Sequence, residues 1–256
     1  MIKKKTPEDF EKMRKAGAIL GRILKDLGKM VAPGVSTQDI DDEAMRLMEL
    51  YSAEPVLLGY HPEFAPRPYP AAICTSVNDV IVHGVPNEDP IVLQEGDIIG
   101  IDVSLAHEGM FVDSAWTVPV GVVDALSQKL IDITREARAM GIAAAHAGNT
   151  TGDIGHAIQS FVRPHGFGIV EELCGHGVGY AVHEEPFVPN FGKKGEGVRL
   201  EVGMALAIEP MLNAGKKQVI FDEGGYTVRT KDGSRSAHFE HTVLITEKGP
   251  EIVTSF

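Results

Sequence analysis

Two stretches of this 256-residue chain return in its second half with the same spacing of glycine, hydroxyl and acid, and that recurrence limits the fold more than any other feature. Gly34, Thr37, Asp39 and Ile40 are spaced like Gly148, Thr151, Asp153 and Ile154, at an offset of 114 residues. Leu93, Gly96 and Asp102 match Leu200, Gly203 and Glu209 at an offset of 107. The second match ends each time on an acid, in Gly-Asp-Ile-Ile-Gly-Ile-Asp and in Gly-Met-Ala-Leu-Ala-Ile-Glu. The chain is therefore expected to be one α+β domain made of two like halves, about 1–121 and 122–256, each a helix-helix-strands unit. A pseudo-twofold axis between the halves brings one carboxylate from each to a shared centre.

Local signals fill in the unit. Thr6-Pro7-Glu8-Asp9 has the hydroxyl, proline and acids of a helix start, and Phe10, Met13, Leu20, Ile23, Leu24, Leu27 and Val31 follow at helical spacing up to Pro33-Gly34. A second helix is predicted from Thr37 to Tyr51. Strands are predicted at Val80-Ile81-Val82, Asp97 to Leu105 and Ala115 to Val120, the last two around the turn His107-Glu108-Gly109. After Gly121 the order repeats, with helices near 124–146 and 151–162 and strands beyond. His61 to Pro70, rich in proline, reads as a surface loop.

Five residues stand where an ionisable group needs a partner. Asp102 closes the apolar run from Ile98, and Asp113 lies beyond the hairpin turn, where an antiparallel ladder brings it near. Two adjacent carboxylates share either a proton or a cation. His176 sits among glycines in Cys174-Gly175-His176-Gly177-Val178-Gly179, and His183 follows in His183-Glu184-Glu185-Pro186. Glu209 ends an apolar strand before Pro210, and Glu240 lies between Phe239 and His241. Structural ion pairs would account for any one of these acids. Five in apolar or glycine-rich strand contexts favour a metal. Cys174 reads as a small core residue, since hard carboxylates accompany it. His-Glu-x-x-His, Gly-x-Ser-x-Gly and phosphate-loop motifs are missing from the sequence.

The sequence resembles the type I methionine aminopeptidases of the pita-bread (creatinase/aminopeptidase-like) fold, in which a duplicated unit surrounds a curved antiparallel sheet. The resemblance runs from about Thr6 onward. It is carried by Ser76-Val77-Asn78 through His83-Gly84-Val85-Pro86, Gly96 to Asp102, Cys174 to Pro186, Ile208-Glu209-Pro210-Met211, and Ser236-Ala237-His238-Phe239-Glu240-His241-Thr242. It implies two divalent metal ions of the Co, Mn, Fe, Ni or Zn class, with Asp102 on one, His176 and Glu209 on the other, and Asp113 and Glu240 between them. It further implies that a metal-activated hydroxide attacks the methionyl carbonyl with Glu209 as general base, while His83 and His183 contact the scissile peptide. Tyr60, Cys74, Val182 and Tyr226 match positions that line a methionine pocket. The chain departs from the pattern with a longer His61–Pro70 stretch, which leaves Phe64 and Tyr69 unplaced, and with Val182 and Tyr226 at positions that are often aromatic and Trp.

The implied substrate is the N-terminal peptide of nascent proteins with a small second residue, met by a cytoplasmic monomer in transient contact with the ribosome. A formal charge of −12 argues against a nucleic-acid surface. Two cysteines suit a reducing compartment, and neither a secretory signal nor a membrane span is read. A prolidase or aminopeptidase P shares the ligand pattern but usually carries a large domain ahead of it. A non-enzymatic binding relative would have lost ligands.

Overall fold

The computed structural model describes residues 2–63 and 65–255, so Phe64 lies outside the described residues. Helix α1 (Pro7–Met30) is followed by α2 (Thr37–Leu50), β1 (Glu54–Pro55), β2 (Cys74–Val77), β3 (Val80–Val82), and a hairpin of β4 (Ile98–His107) and β5 (Met110–Pro119). Then α3 (Ala125–Ala144) and α4 (Thr151–Val162) repeat the order. Shorter strands complete the chain: β6 (Gly168–Ile169), β7 (Gly175–Gly177), β8 (Glu184–Val188), β9 (Ala205–Ile208), β10 (Met211–Asn213), β11 (Val219–Phe221), β12 (Val228–Thr230), β13 (Ser236–His238), β14 (His241–Thr246) and β15 (Gly249–Ile252).

Three of the helix starts are the same device. Thr6, Ser36 and Thr150 each accept a hydrogen bond from the backbone N–H of an aspartate three residues on, and Asp9, Asp39 and Asp153 each accept one back. Helix α1 ends at Met30, with Val31 as an extended C-cap just before the Pro33-Gly34 stop. The repeat is visible in the backbone that leads into α2 and α4. Gly34 and Gly148 take φ of +94° and +96°, and donate to the carbonyls of Leu93 and Leu200 at 2.8 Å in both cases. Glycine meets that left-handed conformation without steric cost.

All strand pairs are antiparallel, and among the described residues they form four sheets. In the first, β4 carries β5 along one edge and β1 and β2 along the other. The largest runs β15-β14-β9-β7-β8, and two three-stranded sheets run β13-β10-β6 and β11-β12-β3. The curved antiparallel sheet keeps one register where it is interrupted, since Ile208 pairs with His241 and Met211 with His238. The interruption has a local cause: Pro210 has no N–H to donate, so β9 and β10, and opposite them β14 and β13, count as separate strands. Glu209 and Glu240 both stand at that break.

The helices cover one side. Helix α1 buries Met13, Leu20, Ile23, Leu24 and Leu27 in a core shared with Ile99, Ile101, Val103 and Leu105 of β4. Helices α3 and α4 bury Leu130, Ala137, Ile154 and Ile158 with Leu206, Ile208 and Val243 in a second core. Contact with α1 is close enough to dictate sequence at Gly28, where a Cβ would lie 2.0 Å from Cζ2 of Trp116. A Gly28→Ala variant should therefore lose about 2 kcal/mol of stability despite alanine's better helix propensity, because the indole must move. Urea unfolding of the two proteins measures this, and equal midpoints would refute the packing argument.

Candidate metal centre

The β4–β5 register pairs Asp102 with Ala115 and Ser104 with Asp113, so the two acids are diagonal neighbours on one face. Asp113 is buried at 5% exposure, and its Oδ1 accepts from Ser104 Oγ at 2.9 Å. Its main chain is held from the other half of the molecule. The Thr242 hydroxyl accepts from Asp113 N at 2.9 Å and donates to Asp113 O at 2.8 Å.

From the second half, β9 and β14 pair through Ile208 and His241, which sets Glu209 and Glu240 opposite one another one step beyond the ladder. Their backbones find partners elsewhere: Glu240 N donates to Ala115 O at 2.8 Å, Ser114 Oγ donates to Glu240 O at 2.8 Å, and Asn190 Nδ2 donates to Glu209 O at 3.1 Å. His176 comes from β7. Its Nδ1 lies 2.9 Å from the Gly177 carbonyl, which accepts only from an N–H, so Nε2 keeps its lone pair. That nitrogen is 3.5 Å from Glu209 Oε1 and 3.8 Å from Asp113 Oδ2. Ligand atoms of Asp113, His176 and Glu240 all lie within 4.8 Å of one another.

The five residues singled out in the sequence thus converge from both halves. Two of them, His176 and Glu209, line a cavity of about 530 Å³ to which Tyr60, Cys74, His83, His183 and Tyr226 also contribute. Leu57, Tyr69, Leu173, Cys174, Met211 and Phe187 also line it, and of these Leu57, Leu173 and Phe187 carry no sequence signal beyond hydrophobicity. Val182 is buried in the same loop as His183 but is not among the described lining residues. That loop is clamped from the N-terminal arm, since buried Lys5 meets Glu184 Oε2 at 2.6 Å and Glu184 Oε1 accepts from Ala181 N at 3.0 Å.

The cavity histidines are held as well as placed. Tyr60 Oη lies 3.0 Å from Nδ1 of His183. The Tyr226 hydroxyl, in turn, donates to the carbonyls of Tyr60 at 3.1 Å and Arg67 at 2.6 Å, which folds the 61–70 loop over the cavity. His83 takes φ of +58°, a left-handed backbone that costs a non-glycine residue about 1 kcal/mol or more and is found at functional sites.

Comparison with known proteins then decides the family. The model of metallopeptidase family M24 matches residues 11–247. Methionine aminopeptidase B of Synechocystis is 46% identical over 246 residues, spanning 96% of this chain and 89% of its own. The methionine aminopeptidase of Escherichia coli is 41% identical, spanning 98% and 92%. The chain belongs to metallopeptidase family M24, in its methionine aminopeptidase branch. The crystal structure of methionine aminopeptidase from Thermotoga maritima superposes with a TM-score of 0.95, at 41% identity over the whole of both chains. The Pyrococcus furiosus prolidase, at 22% identity and a TM-score of 0.74 over 99% of this chain and 65% of its own, shares the pita-bread fold.

The chemistry of this M24 centre fits divalent cations. Burial pushes Asp102, Glu209 and Glu240 well above the usual carboxylate range, each further raised by neighbouring acids, and it pushes Asp113 up to about 7. Glu240 Oε1 is buried with no hydrogen-bond partner. Oxygen and imidazole donors crowded at this distance suit borderline to hard divalent metals. Desolvation also holds His176 and His238 down at about 3 and His83 at about 4.

These shifts have opposite signs in acid and act alone above neutrality. Below the ordinary histidine value of 6.5 the unfolded chain takes up protons on histidines that stay neutral when folded, so stability falls with falling pH. The carboxylates, raised in the folded state, lose stability as pH rises toward their folded values. Above 6.5 only the second effect remains. The metal-free protein should therefore melt at progressively lower temperature from pH 6.5 to 8, and added Mn²⁺ or Co²⁺ should flatten that slope. Calorimetry at several pH values tests this, and a metal-independent slope would contradict it.

Proposed function

We propose that this chain is a methionyl aminopeptidase that hydrolyses the first peptide bond of new proteins whose second residue is small. The observation that carries the reading is the grouping of Asp113, His176 and Glu240 within 4.8 Å, with His176 and Glu209 opening onto a cavity walled by apolar, aromatic and sulfur-containing side chains. Its relatives at 41–46% identity bear the name methionine aminopeptidase.

In this reading Asp102, Asp113, His176, Glu209 and Glu240 would together hold the divalent ions, His176 as the one nitrogen donor and the four acids as oxygen donors. Bound there, a metal pair supplies Lewis-acid polarisation of a carbonyl and a water acidified toward a pKa of about 7. Glu209 accepts the water proton and returns it to the leaving nitrogen. His183, with Tyr60 donating to its Nδ1, carries its proton on Nε2 and donates to the scissile carbonyl oxygen. His83 faces the leaving nitrogen. Tyr60, Cys74 and Tyr226 hold the methionine side chain, whose thioether suits aromatic and sulfur walls, and Val182 backs the loop beside it.

The enzyme acts on the N-terminal peptide of nascent chains, as a cytoplasmic monomer in transient contact with the ribosome, with no specific nucleic acid. No helix among the described residues is long and apolar enough to cross a membrane. Both halves make up one catalytic domain over 1–256.

The test is hydrolysis of Met-Ala-x peptides against x-Pro peptides by protein stripped of metal and then reloaded. Cleavage of Met-Ala-x alone is expected, and cleavage of x-Pro alone would overturn the assignment. Replacing His83 or His183 by alanine should lower kcat at least a hundredfold while metal content, read by elemental analysis, stays unchanged. Loss of metal from either variant would make that histidine a ligand.

A further inference from the structure

His238 is a buried histidine to which the reading above gives no role. Its ring is 3% exposed, and Nε2 is buried without a hydrogen-bond partner. The nearest acid to it is Glu209, whose Oε2 is 3.5 Å away. A polar atom enclosed in this way costs stability unless it serves something.

The two halves say what it serves. The Thr242 hydroxyl bridges the backbone N–H and carbonyl of Asp113, and the Thr117 hydroxyl bridges those of His238, at 2.9 Å from the nitrogen and 3.0 Å to the oxygen. Each threonine belongs to the half that its partner does not. His238 is thus the second-half counterpart of Asp113, just as Glu209 is the counterpart of Asp102. Asp113 lies beside Asp102 across the β4–β5 ladder, and His238 brings its Nε2 to 3.5 Å from Oε2 of Glu209.

We infer that His238 is a positioning residue for Glu209: its Nε2–H donates to Oε2 and fixes the rotation of the carboxylate, leaving Oε1 turned toward His176. The separation of 3.5 Å is in the range that catalytic hydrogen bonds show before substrate draws them in. An imidazole that was a bare acceptor at Nε2 would repel the carboxylate, so the tautomer protonated at Nε2 is the one that belongs here. The inference rests on the role proposed for Glu209.

Glutamine can carry an N–H to the place of Nε2, asparagine falls short of it, and leucine fills the space without a donor. The unmodified protein and His238→Gln, His238→Asn and His238→Leu are compared in two measurements: calorimetric titration of the metal-free protein with Mn²⁺, and kcat and KM on Met-Ala-Ser. Asparagine and leucine should weaken Mn²⁺ binding and lower kcat by about tenfold or more, with KM within about threefold and the number of ions per chain unchanged. Glutamine should restore both to within about threefold. If leucine does not fold, the glutamine and asparagine pair decides alone. Equal behaviour of glutamine and asparagine would overturn the inference, and loss of one ion per chain in all variants would instead make His238 a ligand. Failure of the unmodified protein to cleave Met-Ala-Ser with any metal would sink the aminopeptidase reading, while the Mn²⁺ titration would still judge His238.

Discussion

Four carboxylates gathered in one enclosed space are the constraint on which this structure turns. Each would ionise readily in water. Together, away from it, burial and mutual repulsion push all four above the usual carboxylate range, Asp113 to about 7. The surrounding fold has to tolerate that repulsion, and it does so with fixed backbone and hydroxyl partners. Ser104 holds Asp113, Ser114 and Ala115 hold the main chain of Glu240, and Asn190 holds that of Glu209. None of these neutralises charge. A cation is what the arrangement is built to receive.

The break in the sheets follows from the same need. A continuous ladder through β9 and β10 would give Glu209 and Glu240 ordinary strand neighbours, with side chains alternating above and below. Pro210 interrupts it, and the main-chain groups of Glu240 and Glu209, which point away from each other in this register, are held by β5 and by Asn190. The acids at the interruption then turn to the seam between the halves. Strand geometry on the Asp102 side stays regular, so the centre joins one undistorted hairpin to one broken pair.

Much of this was legible in the sequence because its signals are local. The matching spacing of Gly34, Thr37, Asp39 and Ile40 with Gly148, Thr151, Asp153 and Ile154 announced the duplication, and in the structure its glycines are left-handed and its aspartates close capping boxes with Ser36 and Thr150. Of the residues read as metal-binding, Asp113, His176 and Glu240 lie within 4.8 Å of one another, and Glu209 lies 3.5 Å from His176. Other features escaped because they depend on contacts between distant segments. His238 matches Asp113 in position but not in residue type, at an offset of 125 residues rather than 107, since the β10–β13 excursion lengthens the second half. No motif search pairs an aspartate with a histidine at a changed offset. The cavity wall was legible only in part: Tyr226 reached its place and pins the 61–70 loop by its hydroxyl, whereas Val182 lies behind the wall and Phe187, 73% exposed, contributes to it.

The reciprocal threonine clasps bear on how such a chain can come to exist. Thr117 reaches across 121 residues and Thr242 across 129, and each ties down the main chain of the opposite half. Such contacts close very long loops, whose entropic cost is met before any local gain and slows assembly. No contiguous fragment of fewer residues than those spans contains both ends of either clasp. The centre is therefore a property of the whole topology, and no piece of the chain shorter than those spans can build it.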